Sequence, residues 1–456
     1  MNNTEKVINT KLKNKIWDFC IKISENIWKV EAKTTLDMVF WLISGWNILL
    51  SEIWRNLKEK INIKQTVKRL SKNLNSFDGD YLSEIKDNLL IQNKNDINLE
   101  TVISLDWWDI NKNWALKMEN LKRIHDWSKW SLELWYCLNS IVATNIDKDW
   151  KPKNIPLNLN LYSTKADEFI SENNESMKSV DDVIKIIWTI WIWVFDRWYD
   201  RLRWIIKELL ERNITFIIRA MWTRNVIRVK NWKTHLMKSL ADIIPTRKRI
   251  TYFEYKIDKN KEKRKVKISA RVGFEKIKLS WIKEELTLCV LKKLNWSLSM
   301  MMLTNMDIKD NTDVVKVFSK YSSRWWVEDT FKFMKQEFQL EKIMLKNYKS
   351  LQNIMIFLLA WMNFVTKLRK KDDKYFTKYL IEKAKALNWK VLKYTEHSIM
   401  AWIRVILALN SLWIRDFLRK KIDKLNLWNL CLFEKLANPY EILGKLYLSS
   451  KSKCNI

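Results

Sequence analysis

Four glycines in 456 residues leave this chain few positions where a turn can take positive φ without steric cost. Average usage, about 7%, would supply roughly 32. The chain instead carries 28 tryptophans, and its Gly and Trp counts together equal that expectation. Many of these Trp stand in turn-like surroundings rich in Asn, Asp, Ser and Lys, as in SGWNIL, HDWSKW, KNWKTH and FDRWYD. An indole has no reason to be there. The reading that follows is that most of them are UGA codons translated as Trp but decoded as Gly in the source organism. The alternative is a protein that uses many indoles to stack on single-stranded bases.

With 83 Lys and Arg against 52 Asp and Glu, the formal charge is +31, so the field of the whole molecule attracts polyanions. Nucleic acid is the first partner to consider. No stretch reaches the roughly 18 to 20 uninterrupted apolar residues that span a bilayer, and MNNTEKVINTKLKNK lacks the layout of an export signal. A cytoplasmic, nucleoid-associated protein without a membrane partner is expected. Cys20, Cys137, Cys289, Cys431 and Cys454 are scattered and odd in number, with no CxxC pair, and read as reduced thiols. His125, His235 and His397 are too dispersed for a histidine-based site. Any catalysis therefore falls to carboxylates.

Residues 1–80 read as a Lys-rich helical DNA-binding domain. Within it NILLSEIWRNLKEKINIKQTVKRLSKNL resembles two helices joined by a turn, with Leu49, Ile53 and Leu57 at helical spacing in the first. Lys64, Lys68, Arg69 and Lys72 populate the second, where phosphate and base contacts arise. The other reading of this segment is a solvated basic helix. Strands follow: TVISLD, LELWYCLNSIVAT, NIPLNLNLYST and IWIWVFD. A strand-rich block over residues 206–310 comes next, and helical spacing runs from Val314 to about Leu443.

Asp106 ends TVISLD and Asp196 ends IWIWVFD, so both carboxylates can project from the ends of core strands. Taken singly, each is more simply a turn-capping Asp. Tyr321, Arg324, Glu328 and Lys335 follow one another at steps of three, four and seven residues. On a continuous helix they share a stripe roughly 60° wide, with Glu328 in the first helix after the strand-rich block. Periodicity alone favours the plainer reading, an amphipathic helix with a charged outer face.

The pattern Tyr-x2-Arg-x3-Glu-x6-Lys resembles the signature of the insertion-sequence four family of bacterial DDE transposases. SLDWWDINK is similar to that family's first-aspartate motif, VFDRWYD to its second, and FIIRAM to its arginine-bearing strand. The resemblance covers about residues 35 to 420. It departs chiefly at Trp127, Trp130, Trp198 and Trp326, where recoded glycine accounts for the difference, whereas Trp193 and Trp325 look genuine.

The resemblance implies an α/β fold. An RNase H-like catalytic core (95–205 and 311–370) would carry the β-rich insertion at 206–310, flanked by the all-α N-terminal domain and a helical C-terminal region, 371–456. It implies that Asp106, Asp196 and Glu328 bind two Mg²⁺ or Mn²⁺ ions, which activate the attacking oxygen and stabilise the leaving one. Water cuts the transposon end, the freed 3′-hydroxyl forms a hairpin with the opposite strand, and the reopened end attacks target DNA. Tyr321, Arg324, Lys335, Arg197 and Arg219 would contact double-stranded DNA, and two copies would pair the ends as a homodimer. The alternatives are a domesticated or inactive DNA-binding derivative, and a metal-dependent nuclease without strand transfer.

Overall fold

The computed structural model describes residues 3–44, 62–77, 79–112, 115, 117–126, 131–146, 152–201, 203–257, 263–294 and 297–368, with a few positions between 403 and 421. The chain divides into two compact units, Leu90–Gln336 and Met1–Leu89 together with Glu337–Ile456.

The unit Leu90–Gln336 is built on one 12-stranded mixed sheet. Its strands are β1 (Val102–Asn111), β2 (Lys122–Asp126), β3 (Ser131–Ile146), β4 (Pro152–Tyr162), β5 (Ile192–Phe195) and β6 (Thr215–Arg219). They continue as β7 (Asn225–Arg228), β8 (Lys233–Leu236), β9 (Lys248–Ile257), β10 (Lys263–Lys278), β11 (Glu285–Lys293) and β12 (Leu298–Thr304). The path runs β2-β3-β1-β5-β6-β12-β11-β10-β7-β8, with β4 also on β3 and β9 on β10. β3 lies antiparallel to β1, whereas β1, β5 and β6 run parallel. The strands between 215 and 304 thus extend the central sheet: β6 pairs with β5 on one side and β12 on the other.

Both faces of the central strands are covered, which explains their near-continuous apolar sequence. Ile103, Leu105, Trp193, Phe195, Phe216 and Ile218 point to one face. There they meet α5 (Glu172–Ile187) and α7 (Arg203–Glu211) through Val180, Val183, Ile205 and Leu209. Val102, Val194, Ile217 and Met302 point to the other, against Val314, Val317 and Tyr321 of α9 (Asn311–Ser322). Asp310 starts α9 by accepting from the Thr312 and Asp313 amides, and Ser171 caps α5 through Asn174. Between them lie the short α6 (Arg197–Arg201) and α8 (Met237–Ile243).

In the other unit the described elements are helical: α1 (Asn3–Ile23), α2 (Lys29–Ser44), α3 (Ile63–Ser76) and α11 (Tyr348–Leu368), while α4 (Gly79–Lys94) and α10 (Trp325–Phe338) run across the unit boundaries. Phe364 of α11 meets Phe19 with ring centroids 5.4 Å apart, and Phe357 meets Phe77 at 5.6 Å. Asn353 donates to the Leu74 carbonyl at 2.7 Å. By length and mean hydropathy (1.3) α11 passes for a membrane span, but most of it is buried in this unit, as a core helix is. Helix α3 buries Thr66, Leu70 and Leu74 and exposes Lys64, Lys68, Arg69 and Lys72. Its expected partner helix around Leu49, Ile53 and Leu57 lies outside the described residues, as do Cys431, Cys454 and most of 371–456. Cys20, Cys137 and Cys289 are free and buried, and burial pushes the Cys137 thiol up to about 11 and Cys289 to about 12.

Candidate active site

Strand parity brings the two aspartates together. Leu105 pairs with Phe195 across the parallel β1/β5 ladder, so Asp106 and Asp196 follow side by side where that ladder ends. Asp196 comes just after β5, but Asp106 lies in the middle of β1, not at its end as expected, because β1 continues to Asn111 against β3. Both share parity with Val102 and Val194, so both face the α9 side of the sheet. Ile217 shares that side, and Arg219 follows it by two on β6.

The stripe from Tyr321 to Lys335 does not lie on one helix. Helix α9 ends at Ser322, and α10 starts at Trp325. Between them the Arg324 amide bonds to Tyr321 O at 3.1 Å and the Val327 amide to Arg324 O at 2.9 Å, the three-residue pattern of a tightened turn. Glu328 therefore sits in the first turn of the second helix after the sheet, not the first. An angular projection assumes an unbroken 3.6-residue period, which the turn interrupts. Proximity survives because the turn folds back over Asp106 and Asp196.

Arg324 is buried, 6% exposed. Its Nη1 donates to Asp106 Oδ2 at 2.8 Å and its Nη2 to Glu328 Oε1 at 3.3 Å. Tyr321 donates its hydroxyl to Asp196 Oδ1 at 3.2 Å. The second Asp106 oxygen accepts the Trp107 amide at 3.0 Å. Lys335 lies in the last turn of α10 with its ammonium 5.2 Å from the ring of Trp108, two residues past Asp106 on the same face of β1. Lys68, Arg69 and Lys72 belong to the other compact unit, on the exposed face of α3.

Burial raises the Asp106 carboxyl to about 6; Arg324 opposes that rise, Asp196 adds to it, the Trp107 amide opposes it and Glu328 adds to it. For Arg324 burial works against the charge, but Asp106, Tyr321, Asp196 and Glu328 outweigh it and hold the guanidinium more firmly protonated than usual. Burial lowers Arg197, and the neighbouring Arg219 lowers it further, so two guanidiniums crowd the Asp196 side.

In metal-free protein the folded pKa of Asp106, about 6, exceeds its unfolded value of about 3.9. The stability this contributes is complete below about pH 4 and is lost as pH rises through about 6. Stability of Asp106→Asn in EDTA should accordingly fall less steeply between those values than that of the unsubstituted chain. Parallel pH–stability curves from chemical denaturation would contradict this.

One positioning residue went unnoticed in the sequence. Asn154 on β4 donates to the Trp326 carbonyl at 2.7 Å and the Thr330 hydroxyl at 2.8 Å, tying the first turn of α10 to the sheet edge. No local pattern marks it, because its partners lie more than 170 residues away along the chain. Asp200 is a second case, fully buried in α6. It accepts the Met221 amide at 2.6 Å and pairs with Arg224 at 2.7 Å, fastening the loop after Arg219.

Residues 167–364 match the family described as the transposase DDE domain. The matched segment contains Asp196, Tyr321, Arg324, Glu328 and Lys335, while Asp106 lies before it. No curated protein matches the chain. The DDE domain supports a transposase-like, DNA-modifying function and implies DNA binding, and DDE transposases generally depend on divalent metal.

The carboxylates suit such an ion in chemistry: they are hard oxygen donors from β1, β5 and α10, close enough for Asp196 and Glu328 to raise Asp106. Yet among the described residues no three acidic, Cys or His side chains form a ready-made metal cluster. The positive charge bridging Asp106 and Glu328 is a guanidinium.

Proposed function

We propose that the chain is a DDE transposase of the insertion-sequence four type that cleaves transposon ends and transfers them to target DNA, with Asp106, Asp196 and Glu328 as the metal-binding carboxylates. The observation that carries this reading is the convergence of Asp106, Asp196, Tyr321, Arg324 and Glu328 through three hydrogen bonds from three separate segments. The sheet supports it: an antiparallel β4-β3-β1 edge followed by parallel β5 and β6, with α5 between β4 and β5, is the order expected of an RNase H-like core.

Bound divalent ions would supply Lewis acidity toward the phosphodiester. The chain's own residues bind and orient. Arg197, Arg219, Arg324 and Lys335 hold backbone phosphates beside the carboxylates, and Tyr321 fixes Asp196 through its hydroxyl. The exposed face of α3, with Lys68, Arg69 and Lys72, grips duplex phosphates. Joining two ends calls for two copies in a synaptic homodimer. The test is Mg²⁺- or Mn²⁺-dependent cutting and strand transfer with the inverted repeats that flank the gene; absence of both with glycine-restored protein sinks the reading.

Glycine at the misplaced Trp positions belongs to the same proposal. Trp188 ends α5 at φ 76 and ψ −174, a region essentially confined to glycine, and Trp232 takes φ 55 in the β7–β8 turn. Both rings are exposed, as are those of Trp28 and Trp204, whereas Trp41, Trp193 and Trp361 fill the interior. Trp198 stacks on Trp107 at 6.2 Å, so two indoles adjoin the two aspartates. At Trp326 the contact to Asn154 uses only the carbonyl, which glycine keeps. Trp188→Gly should stabilise the protein by about 1 to 3 kcal/mol, the strain of such a backbone, whereas Trp193→Gly should destabilise it. Denaturant midpoints measure both, and a loss of stability in Trp188→Gly would count against recoding there.

A further inference from the structure

The guanidinium of Arg324 stands where a DDE site needs a cation. It spans two carboxylates from different segments, Asp106 on β1 and Glu328 on α10, instead of forking onto one. Both Asp106 oxygens are engaged, one by the Trp107 amide and one by Arg324. A hard cation taking its share of Asp106 therefore competes with Arg324. Each oxygen keeps a second lone pair, but a guanidinium N–H at 2.8 Å and Mg²⁺ at about 2.1 Å on the same carboxylate bring two positive centres together, which disfavours holding both. The buried Nε of Arg324 has no hydrogen-bond partner, so this side chain has unmet donor capacity where it now lies.

The geometry points to Arg324 as an internal counter-ion of the triad that competes with the divalent cation for Asp106 and Glu328 and, once expelled, becomes a phosphate ligand. This rests on the proposed transposase reading and deepens it. Without metal, the guanidinium neutralises the carboxylates and holds the α9–α10 turn over the sheet. With metal, the same charge is released beside the site, where a backbone phosphate can take it. DNA and metal then bind with positive coupling, because each removes what opposes the other: phosphate draws Arg324 off the carboxylates, and metal frees Arg324 for phosphate.

Mn²⁺ titration of the full chain by calorimetry, without DNA, tests this independently of activity. Arg324→Gln should bind Mn²⁺ about tenfold more tightly than the unsubstituted chain, within the usual range of such couplings. Glu328→Gln should bind it more weakly. A short non-cognate duplex should tighten Mn²⁺ binding by the unsubstituted chain and have little effect on Arg324→Gln. Because that second comparison is internal to each protein, it stands even if Arg324→Gln loses some stability. Equal or weaker Mn²⁺ binding by Arg324→Gln, with Glu328→Gln still impaired, overturns the competition but leaves the metal-dependent transposase intact. If no variant takes up Mn²⁺ at millimolar concentration, both readings fall.

Discussion

Glu328→Gln is expected to bind transposon-end DNA as the unsubstituted chain does while losing metal-dependent cleavage by about a thousandfold or more. The substitution keeps the size and hydrogen-bonding capacity of the side chain but removes a hard anionic ligand, and a metal worth several kcal/mol of transition-state stabilisation translates into a loss of that size. Binding should persist because Glu328 repels phosphate and because the positive charge lies elsewhere: on Arg197, Arg219, Lys335 and the exposed face of α3. The comparison also separates the function classes. A DNA-binding derivative without catalysis shows no cleavage in either protein, and a nuclease loses cutting but never joins ends. Gel-shift and cleavage assays on the same preparation suffice, and cleavage within tenfold of the unsubstituted level would remove Glu328 from the metal site.

Asp200→Ala is expected to cost about 3 to 5 kcal/mol of stability, the penalty for stranding one partner of a buried ion pair. Asp200 is fully buried, and its partner Arg224 is nearly so. Burial raises the Asp200 carboxyl, and Arg224 and the Met221 amide only partly offset this. Alanine removes the carboxylate paired with the Arg224 guanidinium, which lies 5.1 Å from the ring of Trp281. Asp200→Asn keeps a hydrogen-bond acceptor for the Met221 amide and should cost less. Urea denaturation ranks the three proteins, and a loss below 1 kcal/mol in Asp200→Ala would mean that water reaches Arg224. Since the pair fastens the loop after β6, the alanine variant should also loosen Arg219.

Much of the site was legible in the sequence. The apolar run before Asp196 forms β5 and the run before Asp106 forms the first half of β1, which continues to Asn111, because a strand covered on both faces needs apolar side chains at successive positions. The steps from Tyr321 to Glu328 identified side chains that do converge on those aspartates. The turn that interrupts the stripe was not legible. Nothing in YSSRWWVE separates a continuous helix from one that tightens at Ser323, and that choice is made by contacts with Asp106 on β1 and Asn154 on β4.

By itself the sequence determined the charge that calls for a polyanion, most of the strands, the two aspartates that follow apolar runs, and a glycine deficit, with Trp188 and Trp232 both at positive φ. Tertiary structure alone decided that Asp106 and Asp196 are neighbours, since register across a parallel ladder depends on strand order and not on either strand's own residues. It also decided that Arg324, which the spacing marked only as a basic residue, is held by the carboxylates. A guanidinium buried beside anions is governed by their field, and that field exists only once β1, β5 and α10 have come together.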